Sequence, residues 1–252
     1  YQDIVENQVI SRKQMRADKD KTNSEMLQYY GMWVHQIKTP IAAMHLLLQT
    51  DLSMAADNES AEEIYFRVSE LKKELSNELF QIEQYTEMAL EYQRVQSESN
   101  DFVLGKIKLD KVIRESIRKY AKIFIRKKLS MHYDGTDIIV ASDEKWLSFI
   151  IEQILSNAIK YTKAASITIN VLPNASNKIV CLEIADEGIG ISAEDIPRVF
   201  EKGYTGYNGH ENKSSTGIGL YLCKQAADKL GHRLEIESEK KKGTKVRIYF
   251  YT

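Results

Sequence analysis

The chain has 252 residues, enough for one or two domains. Hydrophobic residues make up 43% and charged residues 28%, which supports a packed core and excludes a wholly disordered chain. Lys and Arg (35) nearly balance Asp and Glu (36), and the net charge of -1 excludes a basic nucleic-acid binder, although residues 51–100 carry -8 and residues 101–150 carry +4. Two cysteines in unrelated contexts, Cys181 and Cys223, exclude a disulfide scaffold or a zinc ribbon and fit a reducing compartment. No stretch approaches the ~20 apolar residues that span a bilayer. Tyr1 opens directly into helix-forming sequence, so the chain reads as a fragment of something longer.

Before Gly105 the only helix punctuators are Gly31 and Pro40, so the first ~100 residues are expected to be helical. Residues 3–50 carry a stripe of Met26, Tyr30, Trp33, Ile37, Ile41, Met44 and Leu48 at steps of three and four, a heptad-like seam. Pro40 is expected to kink this helix, because proline lacks the N–H and clashes with the preceding turn. Residues 50–60 read as a loop. A second seam follows in Ile64, Val68, Leu71, Leu75, Leu79, Ile82, Tyr85, Ala89 and Tyr92. Two such helices make an antiparallel hairpin, which has too little core alone. Pairing two copies into a four-helix bundle is the expected remedy, hence a homodimer. The hairpin domain is placed at 1–98, with a linker at 96–103.

From residue 104 to 252 the pattern is mixed. Helices are expected at 108–128, 143–162 and 217–230. Strands are expected at 138–141, 165–172, 178–185, 233–238 and 244–251, with a turn at 173–177. Together they form an α+β sandwich of one sheet with helices on one face.

Three stretches in this second domain carry chemistry. Gln153 and Asn157 lie at i and i+4 on a helix and Lys160 three residues further, so two amides and an ammonium share one stripe. Asp186-Glu-Gly188-Ile-Gly190 follows an apolar strand. It offers a carboxylate to an amine, with glycines making room for a flat ligand. Thr216-Gly217-Ile-Gly219-Leu220 opens a helix, where free N–H groups face an anion. No G-x-x-x-x-G-K-[ST] loop is present. Each piece alone is as compatible with a turn, a cap or a solvated face.

In this order the three stretches resemble the nucleotide-binding fold shared by histidine kinases and the gyrase, heat-shock and mismatch-repair ATPases. Phe200-Glu-Lys202-Gly203 sits where the kinases carry a phenylalanine box, and Gly243-Thr244 matches the last glycine signature. In the first domain, Trp33-Val34-His35-Gln36-Ile37-Lys38-Thr39-Pro40 resembles the phospho-acceptor motif of histidine kinases. His35 lies off the Trp33/Ile37 seam, so its imidazole can face solvent. The stretch from Trp33 to Ile41 is similar to Gram-positive intramembrane-sensing kinases of the antimicrobial-peptide and bacitracin type, which work beside transporters.

The resemblance implies a sensor histidine kinase with ATP and Mg²⁺ as cofactors. Asp186 would accept from the adenine amino group, and Gly188 and Gly190 would shape the base pocket. Asn157 would ligate Mg²⁺, Lys160 would reach a phosphate, and Tyr161 and Phe200 would border the nucleotide. Thr216, Gly217 and Gly219 would hold the phosphates, Leu220 would line the pocket, and Thr244 would sit near the adenine edge. Residues 203–215 would be a lid. His35 would take the γ-phosphoryl group and pass it to an aspartate of a response-regulator receiver domain. Thr39 matches the position that orients water in dephosphorylation, which implies phosphatase activity.

Two positions depart from the family pattern. The residue after the phospho-acceptor is Gln36 rather than Glu or Asp, and an amide is not a base. The first Asn of the amide stretch is Gln153. Two other readings remain: a coiled-coil dimerisation module with a degenerate nucleotide sensor, and an ATP-hydrolysing relative. Gln36 favours the former; His35 beside Pro40 and the uncharged Gln153 disfavour the latter. The chain would be the cytoplasmic portion of a plasma-membrane protein.

Overall fold

The structure, a computed structural model, describes residues 2–54, 60–96, 102–163, 165–173, 179–206 and 216–251. The expected lid at 203–215, linker at 96–103 and turn at 173–177 therefore lie largely outside the described residues, as do residues 55–59 of the expected loop at 50–60, whereas residues 50–54 of that loop instead continue the first helix, which runs to Met54. The chain divides into two compact units, Tyr1–Gln93 and Arg94–Thr252.

The first unit is built from α1 (Gln2–Met54) and most of α2 (Ala61–Gln96). Helix α1 runs through Pro40 without interruption. Helix α2 begins with a capping box. The Ser60 hydroxyl accepts from Glu63 N (3.3 Å), while the Glu63 carboxylate accepts from Ser60 N (2.9 Å). An aromatic cluster joins the helices. Trp33 meets Tyr92 edge-on with ring centroids 5.0 Å apart, and Tyr29 packs on Tyr92 at 5.1 Å. Edge contacts of this kind contribute about 0.5–1.5 kcal/mol beyond area burial.

The seam is only partly covered. Ile41, Leu48, Val68 and Leu79 stay 39–51% exposed. With Met44, Leu71 and Leu75 they line an apolar groove of ≈ 570 Å³ along the hairpin. Among the described residues no helix is long and apolar enough to cross a membrane.

The second unit holds a five-stranded sheet in the order β2 (Ser130–His132), β4 (Ser166–Pro173), β5 (Ile179–Asp186), β7 (Gly243–Tyr251), β6 (Arg233–Glu239). Strand β2 runs parallel to β4, and the other pairs are antiparallel. Helix α4 (Glu144–Tyr161) packs on β5 and α5 (Gly219–Lys229) on β6, with α3 (Leu109–Lys127) beside α4, so one helical layer covers the sheet. The expectation of a single sheet is corrected. Strand β3 (Ile139–Ser142) pairs with β1 (Gly105–Lys108) in a separate two-stranded sheet. Strands β1 and β2 were not foreseen: β1 alternates Lys with Gly and Ile, and β2 has three residues, too short for a pattern.

Alternation explains the main sheet. Val180, Leu182 and Ile184 of β5 pair in register with Phe250, Ile248 and Val246 of β7, and all six are buried. On the opposite face Glu183 accepts from Arg247 Nε (2.7 Å), and Arg247 also reaches Glu237 across to β6 (2.8 Å). Helix α4 is apolar on most of its circumference, with Trp146, Leu147, Ile150, Ile151, Ile154, Leu155, Ala158 and Ile159 buried. The Asp143 carboxylate caps it, accepting from Lys145 N (2.9 Å) and Trp146 N (3.0 Å).

Candidate functional site

The second unit assembles its candidate residues at one end of β5 and β7 and the facing ends of α4 and α5. Asp186 is the last residue of β5 and pairs with Thr244 of β7. Its carboxylate accepts from Gly188 N at 2.8 Å and from the backbone of Thr244. Burial nevertheless pushes the group up to about 6, because the two backbone donors do not replace its lost hydration. A half-buried carboxylate already holding two donors is oriented to take a third from a ligand.

The glycines make this end possible. A side chain at Gly188 would place its Cβ 2.6 Å from the Tyr161 carbonyl oxygen, which also accepts from Ile189 N at 3.2 Å. This is how the C-terminus of α4 comes to border the Asp186 turn. Gly243 has φ +100°, and a Cβ there would lie 1.9 Å from the Asp186 carbonyl oxygen. Gly190 is also tightly enclosed, against the Glu239 carbonyl.

Asn157, Lys160 and Tyr161 stand half-buried in the last two turns of α4. Burial, with the charge of Lys127 second, pulls the Lys160 ammonium down to about 8. Its Nζ lies 5.6 Å from the centroid of the Tyr161 ring. Thr216 is buried and its hydroxyl accepts from Ile218 N at 3.3 Å, shaping the turn into α5. Helix α5 begins at Gly219 rather than Gly217, so Gly217 belongs to the turn and Gly219 and Leu220 to the first helical turn. The N–H groups of that turn have no intrahelical acceptor, which makes it a place for anions. Phe200 follows the 3-10 turn Ile196–Arg198 and is half-buried.

Ser238 was given no role from the sequence, and Gln153, read there as part of the amide stripe, makes an approach that the stripe did not imply. Ser238 Oγ donates to the Gly243 carbonyl (2.7 Å), shares a bond with Thr244 Oγ1 (2.9 Å) and accepts from Ile191 N (2.8 Å). It ties the Asp186–Gly190 segment to β6 and β7. Gln153 lies against α5: a Cβ at Gly219 would come 2.4 Å from its Nε2. Only a Gly-x-Gly at the α5 entry hinted at such an approach.

His35, Gln36 and Thr39 lie on α1, in the first unit. His35 is exposed, as its position off the seam implies, whereas Gln36 is only 7% exposed. Thr39 Oγ1 donates to the His35 carbonyl at 3.1 Å, and its oxygen can still accept a further hydrogen bond. Among the described residues no group of three or more His, Cys, Asp or Glu side chains could hold a metal. The Asn157 amide oxygen is a hard donor that suits Mg²⁺ carried in on phosphates.

The depressed Lys160 sets a pH limit. If Lys160 reaches a phosphate it does so as the ammonium, and above pH ~8 the free chain would have to take up a proton to bind. ATP affinity is expected to fall as pH rises through about 8, and to hold further into alkali in Lys160→Arg, whose guanidinium stays charged. Titration calorimetry between neutral and alkaline pH checks this; parallel curves for the two chains would exclude Lys160 from the phosphates.

A family model described as histidine kinase-, DNA gyrase B- and HSP90-like ATPase matches residues 142–252. The sensor histidine kinase YxdK of Bacillus subtilis is 35% identical over 227 residues, covering 89% of this chain and 64% of its own length. The sensor protein BceS of Halalkalibacterium halodurans is 30% identical over 256 residues, covering 99% of this chain and 71% of its own. The chain thus spans just under two thirds of YxdK. Among solved structures, the histidine kinase ThkA in complex with the response regulator TrrA aligns with a TM-score of 0.55 at 18% identity, covering 86% of this chain and 59% of that one. At that identity the likeness is one of fold.

Proposed function

The chain belongs to the sensor histidine kinase family, and from that membership we propose that it binds ATP at the Asp186 end of the sheet and transfers the γ-phosphoryl group to His35. The Asp186 carboxylate, half-buried and already holding two backbone donors, carries this reading, because it is set to accept from the adenine amino group. Lys160 and the first turn of α5 would hold the phosphates. Asn157 would hold Mg²⁺ through its amide oxygen, and the ion when bound neutralises phosphate charge.

In the proposed reaction an imidazole nitrogen of His35 attacks the γ-phosphorus. The N–P bond forms, the bond to the ADP oxygen breaks, and the ring releases its other proton. The phosphoryl group then passes to an aspartate of a response regulator. The complex of ThkA with its regulator supports that partner class. Incubation with γ-labelled ATP tests the reading: acid-labile, alkali-stable label is expected, and label stable to acid would contradict it.

Gln36 cannot take the proton released by His35. Gln36→Glu is expected to change the autophosphorylation or the phosphatase rate by more than about tenfold, a threshold below the ~100-fold that a positioned base contributes at the least. Unchanged rates would show that this position plays no catalytic part. Phosphatase activity is proposed from Thr39, whose hydroxyl sits one helical turn beyond His35.

We further propose a homodimer in which a second hairpin covers the groove lined by Ile41, Met44, Leu71 and Leu75. Exposed apolar faces of this kind mark association surfaces. Mass measurement in solution is expected to give twice the chain mass, and a monomer independent of concentration would contradict it. The likeness of the Trp33–Ile41 stretch to bacitracin-type kinases supports membrane attachment of the whole protein, on its cytoplasmic side, beside a transporter.

A further inference from the structure

Lys202 lies in the stretch between the two glycine segments, and the nucleotide reading above gives it no part. Its surroundings tie it to the phosphate end of the site. Gly203 N donates to the Gly217 carbonyl at 3.0 Å. The two backbones touch so closely that a Cβ at Gly217 would lie 2.5 Å from the Gly203 carbonyl carbon and 2.7 Å from Tyr204 N. The residue preceding Gly203 is therefore fixed beside the turn that leads into α5. Lys202 is half-buried, and its Nζ lies 5.9 Å from the centroid of the Tyr221 ring, within cation–π range. Tyr221 is in the first turn of α5. That contact places the ammonium beside a side chain of the first turn of α5.

An ammonium so placed adds a charge to donors that are otherwise dipolar. Helix N-termini favour anions only modestly at exposed sites, whereas a charge-assisted hydrogen bond is roughly twice as strong as a neutral one. A triphosphate lying across the α5 entry, with Lys160 reaching it from α4, would meet Lys202 from the opposite strand of the turn.

We propose that Lys202 is a phosphate-binding residue of the ATP site, supplying from the Phe200 turn a second cation beside Lys160. The inference rests on the nucleotide reading above. Tyr221 is its positioning residue, acting through the lysine stem.

The test is titration calorimetry of the whole chain with ATP and with adenosine, on the parent, Lys202→Met, Lys202→Arg and Tyr221→Leu. Lys202→Met keeps the stem and is expected to weaken ATP by about tenfold or more, the scale of one charge-assisted hydrogen bond, with adenosine unchanged. Lys202→Arg is expected to restore most of the ATP affinity, and Tyr221→Leu to show a smaller loss confined to ATP. Raising the salt concentration should narrow the gap between the parent and Lys202→Met for ATP only. Unchanged ATP affinity in Lys202→Met would overturn the inference, and so would an equal loss for ATP and adenosine, which marks a structural role. Failure of the parent itself to bind either ligand would instead overturn the nucleotide reading, and the inference with it.

Discussion

His35→Gln is expected to remove all incorporation of the γ-phosphoryl group while leaving ATP binding unchanged. His35 is exposed on a continuous helix, while Trp33 two residues before it is 2% exposed and anchors α1 to α2 through Tyr92. The imidazole is thus held by a rigid scaffold yet takes no part in its packing. Glutamine preserves the helix and offers no nucleophilic nitrogen at neutral pH, so the variant isolates the chemical step. The residues proposed to hold the nucleotide, Asn157, Lys160, Asp186 and Gly219, all belong to the other unit, which is why binding should not change. Label retained by His35→Gln would place the acceptor elsewhere; label lost together with ATP binding would show that the substitution damages more than the acceptor.

Asp186→Asn is expected to weaken ATP by about 10- to 100-fold, corresponding to roughly 1.5–3 kcal/mol for a hydrogen bond to a charged group. The carboxylate accepts from Gly188 N and the Thr244 backbone and would accept a third donor from adenine. An amide has one oxygen for these three donors, and its NH₂ faces the adenine amino group or the backbone N–H groups as a fourth donor. The pH dependence sharpens the test. Burial holds Asp186 at about 6, and the ionised form is the one that accepts, so the parent should lose ATP affinity as pH falls below about 6. Asp186→Asn should show no such acid limb. A parent chain with flat affinity down to well below pH 6 would remove Asp186 from the adenine contact.

Much of the fold was legible where one physical pattern dominated. The 3–4 spacing of Met26, Tyr30, Trp33 and Ile37 marks the hairpin, and the alternation in Ile179–Asp186 and Gly243–Tyr251 marks the central strands. Strands β1 and β2 escaped because their pairing is decided by partners distant in sequence: Ile107 pairs with Val140, and Met131 with Ile167. Neither strand carries enough apolar residues to announce a face. Pro40 does not end α1, since a proline removes one hydrogen bond from a helix of 53 residues that continues on both sides.

Within the site, Asp186, Gly188 and Gly243 could be read because their chemistry needs those residue types. Gly243 faces the Asp186 carbonyl at a distance no side chain tolerates. Ser238 could not be read in this way. A serine in a strand has no signature, and its three bonds arise only when β6, β7 and the Asp186–Gly190 segment meet. The same holds for the contact of Gln153 with Gly219, where the tight approach of α4 and α5 sets the position of the turn into α5.

The central claim is that this chain carries phosphate on the imidazole of His35. It is tested most directly by incubating the intact chain with ATP and Mg²⁺ at neutral pH, digesting without acid, and locating the phosphate by fragment mass spectrometry. The account requires phosphate on His35, with none on His45, His132, His210 or His232. Phosphate on a hydroxyl or carboxylate side chain, on another histidine, or on no residue while ATP is turned over would contradict it.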